Sequence, residues 1–130
     1  RWQSVIGPGW EAGTQMPWAV SYDGARSTPT VDDGMVYQLS DRGLLAAFNA
    51  QDGKPVWSLD LLSRFDAKCP KYGFTESVLV DGDRVICCPG GTKGLMAALH
   101  KKTGSVVWAA TNTGDGASFA SPILGNLCYG

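Results

Sequence analysis

The sequence predicts an all-β protein built from repeated four-stranded antiparallel sheets, and three observations carry this prediction. The 17 Gly and 7 Pro among 130 residues exceed ordinary usage and indicate many tight turns. Short apolar runs alternate with Asp-Gly and Thr-Gly turns, whereas helical periodicity is nearly absent. The same order of strands and turns then occurs twice, with 49 residues between Val31 and Val80 and 51 between Trp57 and Trp108.

The composition excludes several other classes of protein. Hydrophobic residues make up 44% of the chain and charged residues 18%, which is typical of a globular domain and not of a disordered chain. The formal net charge is −1, so no basic excess is available for a nucleic-acid partner. The apolar runs are only a few residues long, and we therefore predict no membrane-spanning segment.

The first predicted sheet covers residues 27–57. Turns rich in Asp and Gly separate its short strands, which makes it an up-and-down meander. The predicted strands are Thr28–Val31, Met35–Leu39, Leu44–Asn49 and Lys54–Trp57. The best helical candidate is Trp57–Phe65, which is short and poorly capped in the sequence.

The second predicted sheet covers residues 76–108 and repeats the order of the first. Trp2 lies 55 residues ahead of Trp57, as if it ended a preceding unit, and Ala120–Leu124 would begin a third copy. The predicted strands of the second sheet are Glu76–Val80, Arg84–Cys88, Leu95–His100 and Ser105–Trp108. The chain then divides into 1–26 (the end of a preceding unit and an insert), 27–57, a connection at 58–75, 76–108, and 109–130 (the start of a next unit).

Repeats of about 50 residues, each a four-stranded meander, are typical of a β-propeller. One such sheet cannot cover both of its faces, and stacking sheets around an axis buries them. A propeller closes with about four blades or more, so two full blades and partial flanking ones form an incomplete propeller. We expect either a piece of a larger protein or copies that associate through exposed blade faces.

Large and small residues recur at fixed places in the two repeats. A tryptophan at the end of each fourth strand is large enough to fill the gap between adjacent blades. Glycines precede the third strand and the tryptophan, where the chain must turn tightly. The predicted blade-packing residues are Gly43, Gly53, Trp57, Gly94, Gly104 and Trp108.

The stretch Gly43–Trp57 resembles the repeat of pyrroloquinoline-quinone-like propellers, whose unit reads approximately G-x-L-x-A-L-D-x-x-T-G-K-x-x-W. Gly94–Trp108 matches it again, although Asn49 and His100 replace the usual Asp. From about residue 27 onward the chain is most similar to bacterial propellers grouped with the propeller lipoprotein of the outer-membrane β-barrel assembly machinery. The resemblance implies a protein-binding propeller in the periplasm or cell envelope.

Four cysteines occur, at spacings that fit no zinc site: Cys69, Cys87, Cys88 and Cys128. Quinone-dependent alcohol dehydrogenases of related fold carry a vicinal disulfide against the cofactor, so the adjacent pair Cys87–Cys88 has a functional interpretation. Successive strand residues point to opposite faces, which instead favours free structural thiols. The other polar residues are interpreted as turn residues: Asp32, Asp33, Asp81, Asp83, His100, Lys101 and Lys102.

A quinone dehydrogenase would need calcium ligands, a general-base carboxylate, and an Arg and a Trp against the quinone. Glu76 and Arg26 are expected to open inner strands that face the central channel, and Trp18 lies in the Gly- and Pro-rich insert Ile6–Ser21. These three are the weak candidates for cofactor binding. No catalytic residue and no metal site are predicted.

Three functions remain open at this point. The first is a non-catalytic scaffold that binds proteins in the bacterial cell envelope and needs no cofactor. The second is a piece of a quinoprotein dehydrogenase acting on alcohols or sugars, which would bind pyrroloquinoline quinone with calcium. The third is a carbohydrate-binding propeller. Nucleophilic catalysis has no support, because the chain lacks a G-x-S-x-G motif and carries a single His.

Overall fold

Two four-stranded antiparallel sheets follow one another in the structure, which is a computed structural model describing residues 1–7, 25–111, 117 and 120–125. Each sheet is a meander whose strands pair in chain order. Across the described residues the sheets do not close into a ring. The predicted all-β class and incomplete propeller are confirmed.

The first sheet carries its inward side chains on alternating residues of each strand. Cross-strand pairing aligns Tyr37 with Ala47 and Ala47 with Trp57, so these three side chains share one face. A β-bulge between Ala47 and Phe48 leaves Val56 without a direct partner. The strands are β1 (Thr30–Asp32), β2 (Met35–Leu39), β3 (Leu44–Asn49) and β4 (Pro55–Asp60).

The single helix of the described region begins later than the sequence predicted. Helix α1 covers Leu61–Phe65, whereas β4 continues to Asp60, so the expectation of a helix from Trp57 is wrong for its first turn. The reason is the two-residue alternation of Trp57 and Leu59, which both pack against the core. The expected poor capping is also wrong, because the Asp60 carboxylate accepts hydrogen bonds from the backbone N–H groups of residues 62 and 63.

The second sheet repeats the register of the first. Ile86 pairs with Ala98 and Ala98 with Trp108, which are the counterparts of the aligned residues of the first sheet. A bulge between Ala98 and Leu99 again leaves one valine, Val107, without a direct partner. The strands are β5 (Leu79–Asp81), β6 (Arg84–Cys87), β7 (Met96–His100) and β8 (Val106–Ala110).

Three predicted strand starts differ from the structure. Arg26 and Glu76 lie before β1 and β5 and do not open them, because only residues 30–32 and 79–81 reach a neighbouring strand. The residues from Ala120 to Gly125 form no strand. An extended segment joins a sheet only where a second strand satisfies its backbone hydrogen bonds.

The core lies between the two sheets and under helix α1. It combines the inward face of the first sheet with the facing side of the second. Its fully buried members are Tyr37, Leu39, Leu45, Ala47, Leu61, Phe65, Phe74, Val78, Val85, Cys87, Ala97 and Leu99. The sheets are therefore stacked face to face, as adjacent blades are in a propeller.

The antiparallel meanders place their connections at two opposite ends of the sheets. The turn end holds the β1–β2, β3–β4, β5–β6 and β7–β8 turns. The connection end holds the β2–β3 loop at residues 40–43, the β6–β7 loop at 88–95 and the connection at 61–78. Both names are used in this sense below.

Candidate functional site

The side chain of Trp57 joins the first sheet to the second. Its indole Nε1 donates a hydrogen bond to the backbone carbonyl of Lys101 at 2.8 Å, and its ring centroid lies 6.1 Å from that of Tyr37. A Cβ added to Gly104 would lie 2.6 Å from the indole ring, so a glycine is required for this approach. The tryptophan of one sheet thus binds the β7–β8 turn of the next.

Trp2 makes the same contact with the first sheet. Its Nε1 donates to the carbonyl of Ala50 at 2.9 Å, and a Cβ on Gly53 would lie 2.4 Å from its ring. Gly53 and Gly104 also share a left-handed backbone, with φ of 72° and 71°. The contact between a tryptophan and the following turn therefore occurs twice in the described residues.

Trp108 occupies the third such position but faces no further sheet in the described part of the chain. Its side chain is 37% exposed, and the neighbouring Met96 is 36% exposed. Together with Ile86 and Ala98 these residues form the outward side of the second sheet, which is called the open face here. The open face is the counterpart of the surface that Tyr37, Ala47 and Trp57 bury in the first sheet.

The other two predicted packing glycines lie under aromatic rings at the connection end. A Cβ on Gly43 would lie 2.9 Å from the ring of Phe74, and one on Gly94 would lie 2.6 Å from the ring of Phe65. Both rings are buried. The two glycines thus leave room for the residues that connect and cover the sheets.

A chain of hydroxyl-to-amide hydrogen bonds links the segments that precede successive first strands. The backbone N–H of Thr28 donates to the Ser77 hydroxyl at 2.8 Å, and the N–H of Ser77 donates to the Ser121 hydroxyl at 2.8 Å. Nearby, the Thr30 hydroxyl donates to the carbonyl of Val78 at 2.6 Å. These bonds connect the first sheet to the second, and the second sheet to the segment at residues 120–125.

Ionic contacts join the sheets at the turn end. The Nζ of Lys101 lies 2.8 Å from the Asp32 carboxylate and 3.6 Å from that of Asp33. The hydrogen bond to Asp32 raises the pKa of Lys101. The predicted turn residues Asp32 and Asp33 therefore pair across the sheets. They border a cleft of about 440 Å³ lined by Asp33, Met35, Val56, Lys101 and Lys102.

Glu76 is the one weak cofactor candidate whose side chain is buried among the described residues, at 1% exposure. Its Oε1 accepts a hydrogen bond from the backbone N–H of Cys88 at 2.8 Å, while Oε2 is buried with no partner in the described region. Burial raises the pKa of the Glu76 carboxyl, and the hydrogen bonds from Cys88 oppose that rise. Burial therefore makes ionisation of this carboxyl less favourable than it is in water.

The adjacent cysteines are free thiols beside this carboxyl. Burial, followed by the Glu76 charge, raises the pKa of Cys87 well above its usual range and that of Cys88 to about 12. Calcium prefers about six to eight oxygen ligands, mostly from ionised carboxylates. Within the described residues, no three His, Cys, Asp or Glu side chains are placed to hold a metal.

The remaining candidates lie apart from this carboxyl or beyond the described residues. The Arg26 guanidinium donates to the carbonyl of Tyr72 at 3.3 Å. The ring of His100 accepts a hydrogen bond from the backbone N–H of Lys102 at 3.2 Å. Trp18 and Cys128 fall outside the described residues.

Stacked four-stranded meanders, each with a tryptophan from a preceding part of the chain packed on its turn, define the class as blades of a β-propeller. The family model for the outer membrane protein assembly factor BamB matches residues 2–127, and the chain belongs to that family. It is 33% identical over 92 residues to the outer membrane protein assembly factor BamB of Escherichia coli (strain K12). That match covers 69% of this chain and 23% of the relative.

Two solved structures agree with this fold. BamB from Moraxella catarrhalis superposes with a TM-score of 0.51 at 23% identity, over 67% of this chain and 24% of that one. The quinohemoprotein alcohol dehydrogenase of Comamonas testosteroni gives 0.53 at 25% identity, over 67% of this chain and 13% of that one. The chain therefore spans about a quarter or less of the proteins it matches. In its described part, no helix has the length and apolarity needed to cross a membrane.

Sequence reasoning missed three contacts that join the sheets. Tyr37 was placed in a strand but not against Trp57, and Lys101 was not paired with Asp32. The hydroxyl-to-amide bonds were also missed, although Ser77 and Ser121 occupy matching places in their repeats. That recurrence of a hydroxyl residue was the signal available in the sequence.

Proposed function

We propose that this chain is part of a non-catalytic propeller that binds other proteins during outer-membrane assembly in the bacterial cell envelope. The observation that carries the proposal is the family match across residues 2–127. Propeller folds also serve enzymes, so the fold alone would not distinguish the two functions. The family match therefore outweighs the fold similarity to dehydrogenases.

The packing role of the repeated tryptophans and glycines supports a scaffold function. Trp57 is engaged by Gly104 and a backbone carbonyl, and Trp2 by Gly53 in the same way. These residues hold sheets together and leave the loops at both ends available for partners. We propose blade packing as the role of Gly43, Gly53, Trp57, Gly94, Gly104 and Trp108.

We propose that the open face is covered by the next sheet of the same parent protein. The relatives are about four times longer than the matched region, so further sheets are available in a parent of that size. The occupant should present a left-handed glycine and a backbone carbonyl to Trp108, as Gly104 and Lys101 do for Trp57. Extending the chain by one repeat should lower the exposure of Trp108, seen as a blue shift of its fluorescence, and an unchanged spectrum would contradict this.

The proposed function is tested with the full-length parent protein in its own cells. A tagged parent should co-purify with components of the outer-membrane β-barrel assembly machinery, and its deletion should lower the level of outer-membrane barrel proteins. A parent that co-purifies with none of these components, and whose deletion leaves those levels unchanged, would overturn the proposal.

The dehydrogenase alternative has a direct test of its own. Pyrroloquinoline quinone and Ca²⁺ are added to the full-length parent, and its melting temperature and absorbance spectrum are followed. We expect no change, because one oxygen of the Glu76 carboxyl already accepts a hydrogen bond from the backbone N–H of Cys88, and burial raises its pKa and so disfavours the ionised form that calcium binds. A saturable rise in melting temperature that Glu76→Gln abolishes would favour the oxidoreductase instead.

A further inference from the structure

The charged groups of the two ends are paired to very different degrees. Four ion pairs lie at the turn end, where Lys54, Arg84 and Lys101 each contact a carboxylate. At the connection end, the exposed side chains of Arg42, Lys68 and Lys71 take part in no ion pair in the described region. The described side chains thus leave an excess of exposed cations over exposed carboxylates at the connection end.

Backbone contacts bring these cations close together. The N–H of Phe74 donates to the carbonyl of Asp41 at 2.9 Å, which fixes the residues after Lys71 against the β2–β3 loop. The thiol of Cys69 donates to the same carbonyl at 3.7 Å, which places Lys68 beside Arg42. Gly73 packs on Asp41 so closely that a Cβ there would lie 3.0 Å from its carbonyl oxygen.

An exposed aromatic ring completes this surface. Tyr72 is 41% exposed, and the ammonium group of Lys71 lies 5.6 Å from its ring centroid. The guanidinium of Arg26 is held at the carbonyl of Tyr72. The basic-aromatic surface is defined here as Arg42, Lys68, Lys71 and Tyr72.

Four acidic side chains lie at the same end among the described residues. Asp41 is buried at 2% exposure beneath the basic-aromatic surface, and Glu76 is a buried acid whose raised pKa disfavours ionisation. Asp60 caps helix α1, and Asp66 accepts a hydrogen bond from the Thr92 hydroxyl at 2.6 Å. Their hydrogen bonds do not remove the negative charge of Asp60 and Asp66, but the exposed cations described at the same end outnumber these two exposed carboxylates; the cations are Arg42, Arg64, Lys68, Lys71 and Lys93.

We propose that the basic-aromatic surface binds an acidic segment of a protein partner. The inference rests on the proposed function as a protein-binding scaffold and assigns the chemistry of one partner. A short segment of carboxylates would attract these cations over distances of up to about 10 Å, beyond which salt largely screens the interaction. Tyr72 adds a flat amphipathic contact of the kind enriched at protein interfaces.

A protein segment fits this surface better than a membrane does. Stable electrostatic attachment to anionic lipid takes about four to eight clustered cations or an inserted apolar face. The surface offers three exposed cations and one tyrosine, while the chain as a whole carries a net charge of −1. Anionic lipid is therefore an outcome for the experiment to exclude.

The test compares two triple variants of the full chain that change the net charge equally. The first is Arg42→Gln/Lys68→Gln/Lys71→Gln at the connection end. The control is Lys54→Gln/Arg84→Gln/Lys102→Gln at the turn end, where all three side chains are also exposed. The probes are a fluorescent peptide of alternating Glu and Gly, its Gln and Gly analogue, and phosphatidylglycerol vesicles. Far-UV circular dichroism verifies that both variants are folded.

We expect the acidic peptide to bind the unchanged chain and to bind more weakly as salt is added. The connection-end variant should lose about tenfold in affinity, and the turn-end control less than about twofold. The inference is overturned by an equal loss in both variants, by binding of the neutral peptide, by stronger capture on the vesicles, or by no peptide binding.

The same variants in the full-length parent separate this inference from the proposed function. The connection-end variant should reduce co-purification with the assembly components, and the control should not. If the unchanged parent co-purifies and both variants do so equally, the basic-aromatic surface is not the binding site and the proposed function stands. If the unchanged parent does not co-purify, the proposed function itself is wrong.

Discussion

Trp57 and Trp108 hold the same position in two sheets of the same register, yet their surroundings differ. Trp57 is enclosed by Tyr37, Gly104 and the carbonyl of Lys101, whereas Trp108 is 37% exposed on the open face. The difference shows that each repeat carries the tryptophan needed to pack against a following sheet. The tryptophan can make the contact in each repeat, but the contact stabilises the fold only where a following sheet packs on it.

The largest expected effect distinguishes the two tryptophans directly. Trp57→Ala removes an indole packed between the sheets and should cost about 4 kcal/mol of unfolding free energy. Trp108→Ala should cost about 1 kcal/mol or less in this chain, because its ring is partly in water already. Chemical denaturation measures both values. Equal losses would show that the open face is covered in solution, for example by a second copy.

A glycine pair tests whether the contact with Trp57 is steric. Gly104→Ala should cost about 3 kcal/mol, because it combines a left-handed backbone with a Cβ only 2.6 Å from the indole. The matched control is Gly82→Ala, which has φ of 59° and no atom within 4 Å of the added Cβ. That control should cost about 1 kcal/mol. A similar loss in both variants would attribute the effect to the backbone alone.

The buried carboxyl of Glu76, just before β5, should make the free energy of unfolding depend on pH. Burial raises the pKa of Glu76 in the folded state, so the folded protein binds this proton more tightly than the unfolded chain. The stabilisation is fully present below the unfolded pKa and is lost as the pH rises through the folded pKa, by about 1.4 kcal/mol per pKa unit of difference. Glu76→Gln should reduce this loss of unfolding free energy with rising pH.

Asp52 provides the control of opposite sign. Its pKa is lowered mainly by the hydrogen bond from the backbone N–H of Lys54, so its contribution is present above the unfolded pKa and is lost as the pH falls. Asp52→Asn should therefore leave the decline toward neutral pH intact. Unfolding midpoints measured across the pH range compare the two variants. The assignment fails if the decline persists in Glu76→Gln.

The smallest expected effect concerns the hydroxyl-to-amide bonds. Ser77→Ala removes the acceptor for the Thr28 N–H between two packed sheets and should cost about 1 kcal/mol. Ser121→Ala removes the equivalent acceptor for Ser77 beyond the second sheet. Its exposed position predicts a loss of about half that size. A larger loss for Ser121→Ala would mean that the segment after β8 contributes more than the contacts between the sheets.

The fold was largely predictable because its signals are local and repeated. Asp-Gly and Thr-Gly turns divide the strands, and their recurrence revealed two meanders before any contact was known. The ends of the elements were less predictable. Asp60 ends a strand and caps a helix at once, and neither role is visible until both neighbours are placed.

The candidate sites were less predictable than the fold. Glu76 was identified as notable, but its sequence context suggested a channel-facing ligand, whereas it lies buried against the backbone of Cys88. The basic-aromatic surface escaped detection because Arg42 and Lys71 are 29 positions apart. Such a surface forms where loops that are distant in the sequence meet, and a local sequence pattern does not show which loops will meet.

The sequence by itself determined the strand order, the repeated turns and the positions of the packing tryptophans and glycines. Those features follow from backbone preferences and from side-chain alternation within a few residues. The tertiary structure alone decided which tryptophan a following sheet covers, which carboxyl is buried away from water and which exposed cations meet at the connection end. Burial and charge depend on the segments that converge in space, and these lie far apart along the chain.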